Sequence, residues 1–224
     1  MVTIVPAILE KDISSFEEKL ERVWGITKRV QMDVMDGRLV EMKTVEPEIL
    51  KEIDTIVEFD AHLMVEEPEE WIQRCADSGV NGVYGQVERM TDPAKFIADA
   101  QFAGMRVGLA YDLDTPLTDL EKYVDELDGV LLMSVKMGES GQVFDESVLK
   151  KIKEVRKMSK AIRIVIDGGL NVENIKKCIA AEWSEEIEED ELNRSFAGME
   201  FAVNTELFGA KKIEEKLHEL EALA

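Results

Sequence analysis

The sequence is poor in the residues that mark a secreted, disulfide-bonded protein. Its 224 residues include two cysteines and five prolines. Cys75 and Cys178 lie far apart in segments with helical periodicity, so neither a disulfide framework nor a cysteine-based metal site is predicted. The apolar start, MVTIVPAI, lacks the basic lead and the small-residue cleavage site of a signal peptide. We therefore expect free, buried thiols in a reducing cytoplasm.

Positive charge and long apolar runs are also scarce. Lysine and arginine number 27 against 48 aspartates and glutamates, a formal net charge of −21. This balance argues against nucleic acid or an anionic membrane as a partner, and no stretch approaches the roughly 20 apolar residues of a membrane span. It also disfavours long-range capture of an anionic substrate, so a phosphate ester would have to be bound by local geometry.

The chain does contain a regular alternation of short apolar runs and amphipathic segments. The predicted strands are 3–8, 29–34, 57–64, 82–87, 106–110, 129–134, 163–167 and 198–203. The predicted helices are 14–23, 45–53, 68–78, 93–103, 116–127, 146–158, 172–181 and 211–222. Strict alternation predicts a parallel α/β sheet, and eight pairs suit one closed (β/α)8 TIM barrel, a single domain of residues 1–224. An open doubly wound sheet normally has a glycine-rich turn after its first strand, where this chain has PAILEKD.

One segment interrupts the alternation. The stretch WSEEIEEDELNR, residues 183–194, is a highly acidic insertion between the seventh predicted helix and the eighth predicted strand. A helix-to-strand connection lies on the N-terminal face of a barrel, whereas the chemistry of this fold lies at the C-terminal ends of the strands. We therefore predict a solvated loop here, with a partner-binding element as the alternative.

Polar residues stand at the ends of several predicted strands. Gln31, Asp33 and Met35 alternate along the second strand and therefore share one face, while His62 ends the third strand and Asp167 the seventh. In a barrel these strand ends converge on one mouth. Two carboxylates there can invert a carbon by removing a proton from one side and returning one to the other, and a divalent metal held by carboxylate and imidazole can stabilise the resulting charge. Taken singly, each residue is also typical of a turn or of a packed core.

The motifs resemble one family, the ribulose-phosphate 3-epimerases of the ribulose-phosphate-binding barrel group. The matching stretches, in order along the chain, are PAIL at 6–9, DVMDG at 33–37, DAHLMVEEPE at 60–69, QVE at 86–88, LMSVKMGESGQVF at 132–144, IDGGL at 166–170 and LFGA at 207–210. The resemblance covers nearly the whole chain apart from the acidic insertion. It implies epimerisation of ribulose 5-phosphate and xylulose 5-phosphate at carbon 3 through an enediolate.

The resemblance also implies roles for individual residues. Asp33 and Asp167 would be the acid and base pair and also metal ligands, His62 would be a third ligand, and the metal would be zinc, iron, manganese or cobalt. The implied substrate-binding residues are Met35, Met64, Met133, Gly138, Gly141, Gly168, Gly169, Asn204 and Thr205, with Lys136 as a cation near the phosphate. Family members commonly form dimers or larger assemblies, so a homo-oligomer is expected.

This chain departs from the family pattern at both ends of the expected site. Gln31 stands where the family has a histidine, so the fourth metal ligand would be a carboxamide. Asn204 and Thr205 replace a Gly-Ser pair, and Glu206 places a carboxylate where phosphate would bind. The other departures are Ala7 for a serine, Gln86 for a histidine, and Lys136, Met137, Glu139 and Ser140 in the loop after the sixth strand. These changes leave two alternatives open: an enzyme of the same group acting on a different sugar, with or without a phosphate, or a catalytically impaired binding or assembly module.

Overall fold

A closed barrel of eight parallel strands forms the centre of the protein. The computed structural model describes residues 2–138, 141–182 and 198–223. Each strand pairs in parallel with the next, and β8 closes on β1. The strands are β1 (Thr3–Ile8), β2 (Arg29–Met35), β3 (Glu58–Met64), β4 (Gly82–Gln86), β5 (Arg106–Tyr111), β6 (Gly129–Met133), β7 (Arg163–Asp167) and β8 (Met199–Val203). The predicted TIM barrel is confirmed, with strand bounds within two residues of those expected.

The alternation of side chains along the strands separates two apolar cores. On β2, the residues Val30, Met32 and Val34 belong to the large core between the strands and the surrounding helices. The opposite face of the same strand carries Gln31, Asp33 and Met35, as the period of two in a strand requires. A smaller core fills the barrel interior with Ala7, Tyr84, Ala110, Leu131, Met133, Val135, Val165 and Ala202. The functional side chains of β2 are therefore directed into the barrel.

Seven α-helices cover the strands in the described part of the chain. They are α1 (Ile13–Val23), α2 (Ile72–Asp77), α3 (Pro93–Phe102), α4 (Val148–Met158), α5 (Val172–Glu182), α6 (Thr205–Phe208) and α7 (Ile213–Glu221). Side-chain oxygens cap three of the starts: Asp12 accepts from Ser15 N–H, Asp92 from Lys95 N–H and Asn171 from Asn174 N–H. No described helix is long and apolar enough to cross a membrane.

Two of the predicted helices are not α-helices. The segment predicted at 45–53 contains a 3-10 helix, Pro47–Glu52, and the segment predicted at 116–127 contains only the 3-10 turn Leu120–Lys122. In the second case Leu120, Tyr123 and Glu126 each donate a backbone hydrogen bond three residues back. The apolar residues there recur every three positions, a spacing that suits 3-10 turns as well as one face of an α-helix. The predicted 68–78 helix is divided into a 3-10 turn, Pro68–Glu70, and α2.

Ion pairs occupy the N-terminal end of the barrel. Arg29 pairs with Asp60 at 3.2 Å and with Glu200 at 2.5 Å, while Arg106 and Arg163 add bonds to the same two carboxylates. The two carboxylates are buried, and the three arginines around them are partly exposed. The side chains of the candidate site lie at the opposite, C-terminal end of the barrel. The acidic insertion at 183–194, like Glu139 and Ser140, lies outside the described residues.

Candidate active site

Three chemically active side chains meet at the C-terminal end of the barrel. Asp33 and His62 are register partners on β2 and β3, and Asp167 ends β7 beside Met133 of β6. One ligand atom from each of the three residues lies within 4.8 Å of the other two. Because these residues come from three separate strands, the closed barrel is what brings them together.

Gln31 connects the two carboxylates. Its Nε2 donates one hydrogen bond to Asp33 Oδ1 at 2.8 Å and another to Asp167 Oδ2 at 2.5 Å. Gln31 is 2% exposed, so both bonds are shielded from water. Hydrogen bonds to charged groups in such a site are stronger than those between neutral groups. The carboxamide thus holds the two aspartates at a fixed separation.

His62 lies beneath the same pair of carboxylates and is fully buried. Its Nδ1 is 3.5 Å from Asp33 Oδ1 and 3.3 Å from Asp167 Oδ2, and neither ring nitrogen makes an aligned hydrogen bond. Burial lowers the pKa of the imidazole, but the negative charges of Asp167 and Asp33 outweigh it and raise that pKa to about 9. In the absence of another cation, the imidazole therefore carries a proton between two anions.

Burial and charge repulsion both disfavour the charged form of the Asp33 carboxyl. Removal from water raises the pKa of the Asp33 carboxyl, and the negative charge of Asp167 raises it further. The nearby His62 imidazole and the hydrogen bond from Gln31 lower the pKa in part. Asp33 is consequently a carboxyl group that can take up a proton more readily than an exposed aspartate.

A cavity of about 210 Å³ opens above the two aspartates. Its wall contains nine of the predicted substrate-binding residues, namely Met35, Met64, Met133, Gly138, Gly141, Gly168, Gly169, Asn204 and Thr205. Lys136 is not on this wall: its side chain is 71% exposed and lies 3.5 Å from Asp114. Gln31 and His62 contact the aspartates from the barrel interior and do not line the cavity.

The structure adds wall residues that strand-end reasoning did not assign to substrate. Gln142 and Asn171 follow β6 and β7, and Leu9, Val135, Leu170 and Ala202 supply apolar surface. Glu206 is also on the wall, next to Asn204 and Thr205. The sequence could have placed these residues near the mouth, because each lies within a few residues of the C-terminal end of a strand or in the β6–α4 loop.

Buried hydroxyl groups fix the strand ends that carry the aspartates. Thr44 Oγ1 donates to the Asp33 carbonyl at 2.7 Å and accepts from Met35 N–H at 2.9 Å. Ser134 Oγ donates to the carbonyls of Asp167 and Gly168. Sequence reasoning missed both residues, since their partners lie 9–34 positions away. They act through the backbone of the aspartates.

Asp36 has a different role from that of Asp33, as the DG turn suggests. Its Oδ1 accepts from the N–H groups of Arg38 and Leu39, and its Oδ2 accepts from Glu66 N–H at 2.9 Å. The following Gly37 has φ +77°, a left-handed conformation that favours glycine. The second carboxylate of DVMDG therefore organises a turn.

Comparison with known proteins decides the family. Residues 3–185 match the model of the Ribulose-phosphate 3 epimerase family. The chain belongs to the ribulose-phosphate 3-epimerase family. It is 33% identical to the ribulose-phosphate 3-epimerase of Bacillus subtilis over 189 residues, covering 81% of this chain and 87% of the relative. It is 32% identical to that of Schizosaccharomyces pombe over 179 residues, 77% of this chain and 78% of the relative. The predicted family is confirmed.

Solved structures of low sequence identity share the fold. KGPDC from Streptococcus mutans superposes with a TM-score of 0.68 at 12% identity, covering all of this chain and 97% of the other. A 3-hexulose-6-phosphate synthase superposes with a TM-score of 0.64 at 13% identity, covering 99% of this epimerase-family chain and 98% of the other. These similarities support the barrel architecture alone.

Proposed function

We propose that this protein is an epimerase that inverts carbon 3 of a ketopentose and so interconverts the ribulose and xylulose configurations. The observation that carries the proposal is the meeting of Asp33, Asp167 and His62 within 4.8 Å, in a chain of the 3-epimerase family. Two carboxylates on one cavity wall supply the proton acceptor and donor that inversion requires. The pentulose 5-phosphates on which the family acts are the first substrates to test.

Proton transfer is assigned to the two aspartates. One carboxylate oxygen removes the proton from carbon 3 on one face of the bound sugar, and the other aspartate returns a proton to the opposite face. The raised pKa of Asp33 suits this exchange, because a carboxyl group that binds a proton more readily than an exposed aspartate can act as a base and then as an acid. Gln31 supports both steps by keeping the carboxylates at a constant distance.

The donor set fits a divalent metal. His62 is a buried imidazole with no hydrogen-bond partner on either nitrogen, and it faces two carboxylates, which is the ligand chemistry that zinc, iron, manganese and cobalt accept. Asp33, His62 and Asp167 would hold the ion. Gln31 directs Nε2 toward both aspartates, so its carboxamide oxygen could be a fourth ligand only if the two amide atoms exchanged places. When bound, the metal supplies a positive charge that stabilises negative charge on the sugar oxygens.

The surrounding wall excludes water and accommodates the sugar. Met35, Met64 and Met133 contribute thioether side chains, each no more than 4% exposed, next to the carboxylates. Apolar surface at this point protects a reactive carbanion-like centre from stray protons. Gly168 and Gly169 have φ +112° and +56°, and an added Cβ at either would clash with Val135 or Phe144. Glycine is thus required where the chain turns under the cavity.

Solvent-proton exchange at carbon 3 tests the proposal. In deuterated water with added metal, the protein should exchange the carbon 3 proton of ribulose 5-phosphate or of ribulose, as measured by NMR. Asp33→Asn and Asp167→Asn should each lower the exchange rate by about a thousandfold, the usual scale for losing a positioned acid or base. Asp36→Asn is the matched control outside the cavity, because the asparagine oxygen can keep the hydrogen bonds from Arg38 and Leu39 and loses only the one from Glu66 N–H. No exchange with either sugar at high concentrations of folded, metal-supplemented protein would contradict the proposal.

A further inference from the structure

The cavity has a second region, away from the aspartate pair, that the proton transfer does not use. Its wall comes from the loop after β6, residues 168–171 after β7 and residues 204–206 after β8. The charged residues on the described cavity wall are Asp33, Asp167 and Glu206, and none of its described members is lysine or arginine. Among the described wall residues, therefore, no cation is available to attract an anionic substituent.

Glu206 is held in place by a shared lysine. Its Oε1 lies 3.0 Å from Lys216 Nζ, and the same ammonium pairs with Glu219 at 2.9 Å. One positive charge is thus divided between two carboxylates, so the pair of acids and their lysine keep a net negative charge. A dianionic group bound beside Glu206 would be repelled.

Other cations near this region are already paired. Lys19 of α1 donates to Asn204 Oδ1 at 3.2 Å and forms a salt bridge with Glu10 at 2.7 Å. Its ammonium group also lies 5.0 Å from the centre of the Phe208 ring. Lys19 is not on the cavity wall. Lys19 therefore positions the Asn204 side chain and does not face the cavity.

The remaining polar groups suit hydroxyl groups. Asn171 Oδ1 accepts from Asn174 N–H at 2.9 Å, and Asn204 Oδ1 accepts from Lys19. The NH2 group of each side chain can therefore donate to a further acceptor. Glu206 offers a carboxylate acceptor. A hydroxyl group can accept from the carboxamides and donate to the carboxylate at the same time. A phosphate dianion only accepts, so it cannot donate to the carboxylate oxygen of Glu206 that does not bind Lys216.

We propose that this cavity selects an unphosphorylated ketose, with the hydroxyl-bearing end of the sugar against Glu206, over the corresponding phosphate ester. The inference rests on the proposed function, since it specifies the substrate class for the same aspartate pair. It assigns Glu206 as the residue that determines specificity. Asn171 and Asn204 bind the same end of the sugar.

The test compares D-ribulose with D-ribulose 5-phosphate by carbon 3 proton exchange and by calorimetric titration. Wild-type protein should show a kcat/KM for ribulose at least roughly tenfold above that for the ester, and weaker binding of the ester, because Glu206 repels the phosphate. Glu206→Gln removes the charge at equal size and should raise kcat/KM and affinity for the ester by at least about tenfold. Glu214→Gln is the matched control, since it removes the same charge at the exposed start of α7, away from the cavity wall, and should change neither preference.

The outcomes separate this inference from the proposed function. Exchange that favours the phosphate ester and does not respond to Glu206→Gln would overturn the inference while leaving the epimerase proposal intact. If neither sugar exchanges, the epimerase proposal fails and the titrations decide the inference. Tighter binding of the ester than of ribulose by the wild type would overturn the inference. Tighter binding of ribulose by the wild type, with the preference changed to the ester by Glu206→Gln, would support it.

Discussion

Replacing Gln31 by methionine should destabilise the metal-free protein. Methionine has nearly the same length and volume as glutamine, so the change removes the two hydrogen bonds to Asp33 and Asp167 without opening a cavity. The two carboxylates would remain buried next to each other, with His62 as their remaining polar neighbour. The perturbation is therefore electrostatic, and it is confined to the candidate active site.

The size of the effect follows from the two bonds. A hydrogen bond to a charged group contributes about 1.5–3 kcal/mol, which sets an upper range of roughly 3–6 kcal/mol for the pair. Proton uptake by Asp33, whose pKa is already raised by burial and by Asp167, relieves part of this loss. We expect the free energy of unfolding to fall by about 3 kcal/mol, or the melting temperature by roughly 6–12 °C for a chain of this size.

Urea unfolding at pH 8 in the presence of a chelator measures this difference. The matched control is Gln73→Met, because Gln73 on α2 also donates to a carboxylate, that of Asp77 at 2.7 Å, but at the exposed surface. That control should cost less than about 0.5 kcal/mol. A Gln31→Met protein as stable as the control would refute the bridging role of the carboxamide.

Two further outcomes concern the metal and the proton at the same site. Gln31→His should bind zinc at least roughly tenfold more tightly than the wild type by calorimetry, because imidazole is a better zinc ligand than a carboxamide. If neither protein binds metal while folded, a binding or assembly module is favoured. In chelator, the free energy of unfolding should fall by about 3 kcal/mol as the pH rises from 6.5 to 9. The pKa of His62 is raised from 6.5 to about 9 in the folded state, so the protonated imidazole stabilises the fold fully below pH 6.5. This contribution is lost as the pH rises through 9. A stability that stays constant in urea unfolding between pH 6.5 and 8.5 would contradict the buried imidazolium.

The strands and the inward face of β2 were predictable from local patterns. Alternation along β2 was enough to place Gln31, Asp33 and Met35 on one face, because the period of two leaves no other arrangement. The 3-10 turn at Leu120–Lys122 was not predictable in the same way. Apolar residues spaced by three fit both kinds of helix, and tertiary packing decides between them.

The long-range contacts of the site were beyond local patterns. The bond from Gln31 to Asp167 joins residues 136 positions apart, and the bond from Lys19 to Asn204 joins residues 185 positions apart. A sequence shows that a glutamine replaces a family histidine, but not that its amide nitrogen bridges both carboxylates. Likewise, it shows a glutamate after β8, while only the closed barrel places that carboxylate on the wall of the aspartate cavity.

The two departures from the family pattern affect different properties of one site. Gln31 lies on β2 inside the barrel and contacts the two aspartates to which we assign proton transfer, so a glutamine in place of the family histidine alters the ligand set of the proposed chemical step. Glu206 lies after β8 and contacts Lys216, away from the reacting carbon, so it alters which substituent can be bound. In a TIM barrel the strands hold the catalytic groups and the loops vary independently of them. A family member can therefore retain the aspartate pair and still select a different sugar.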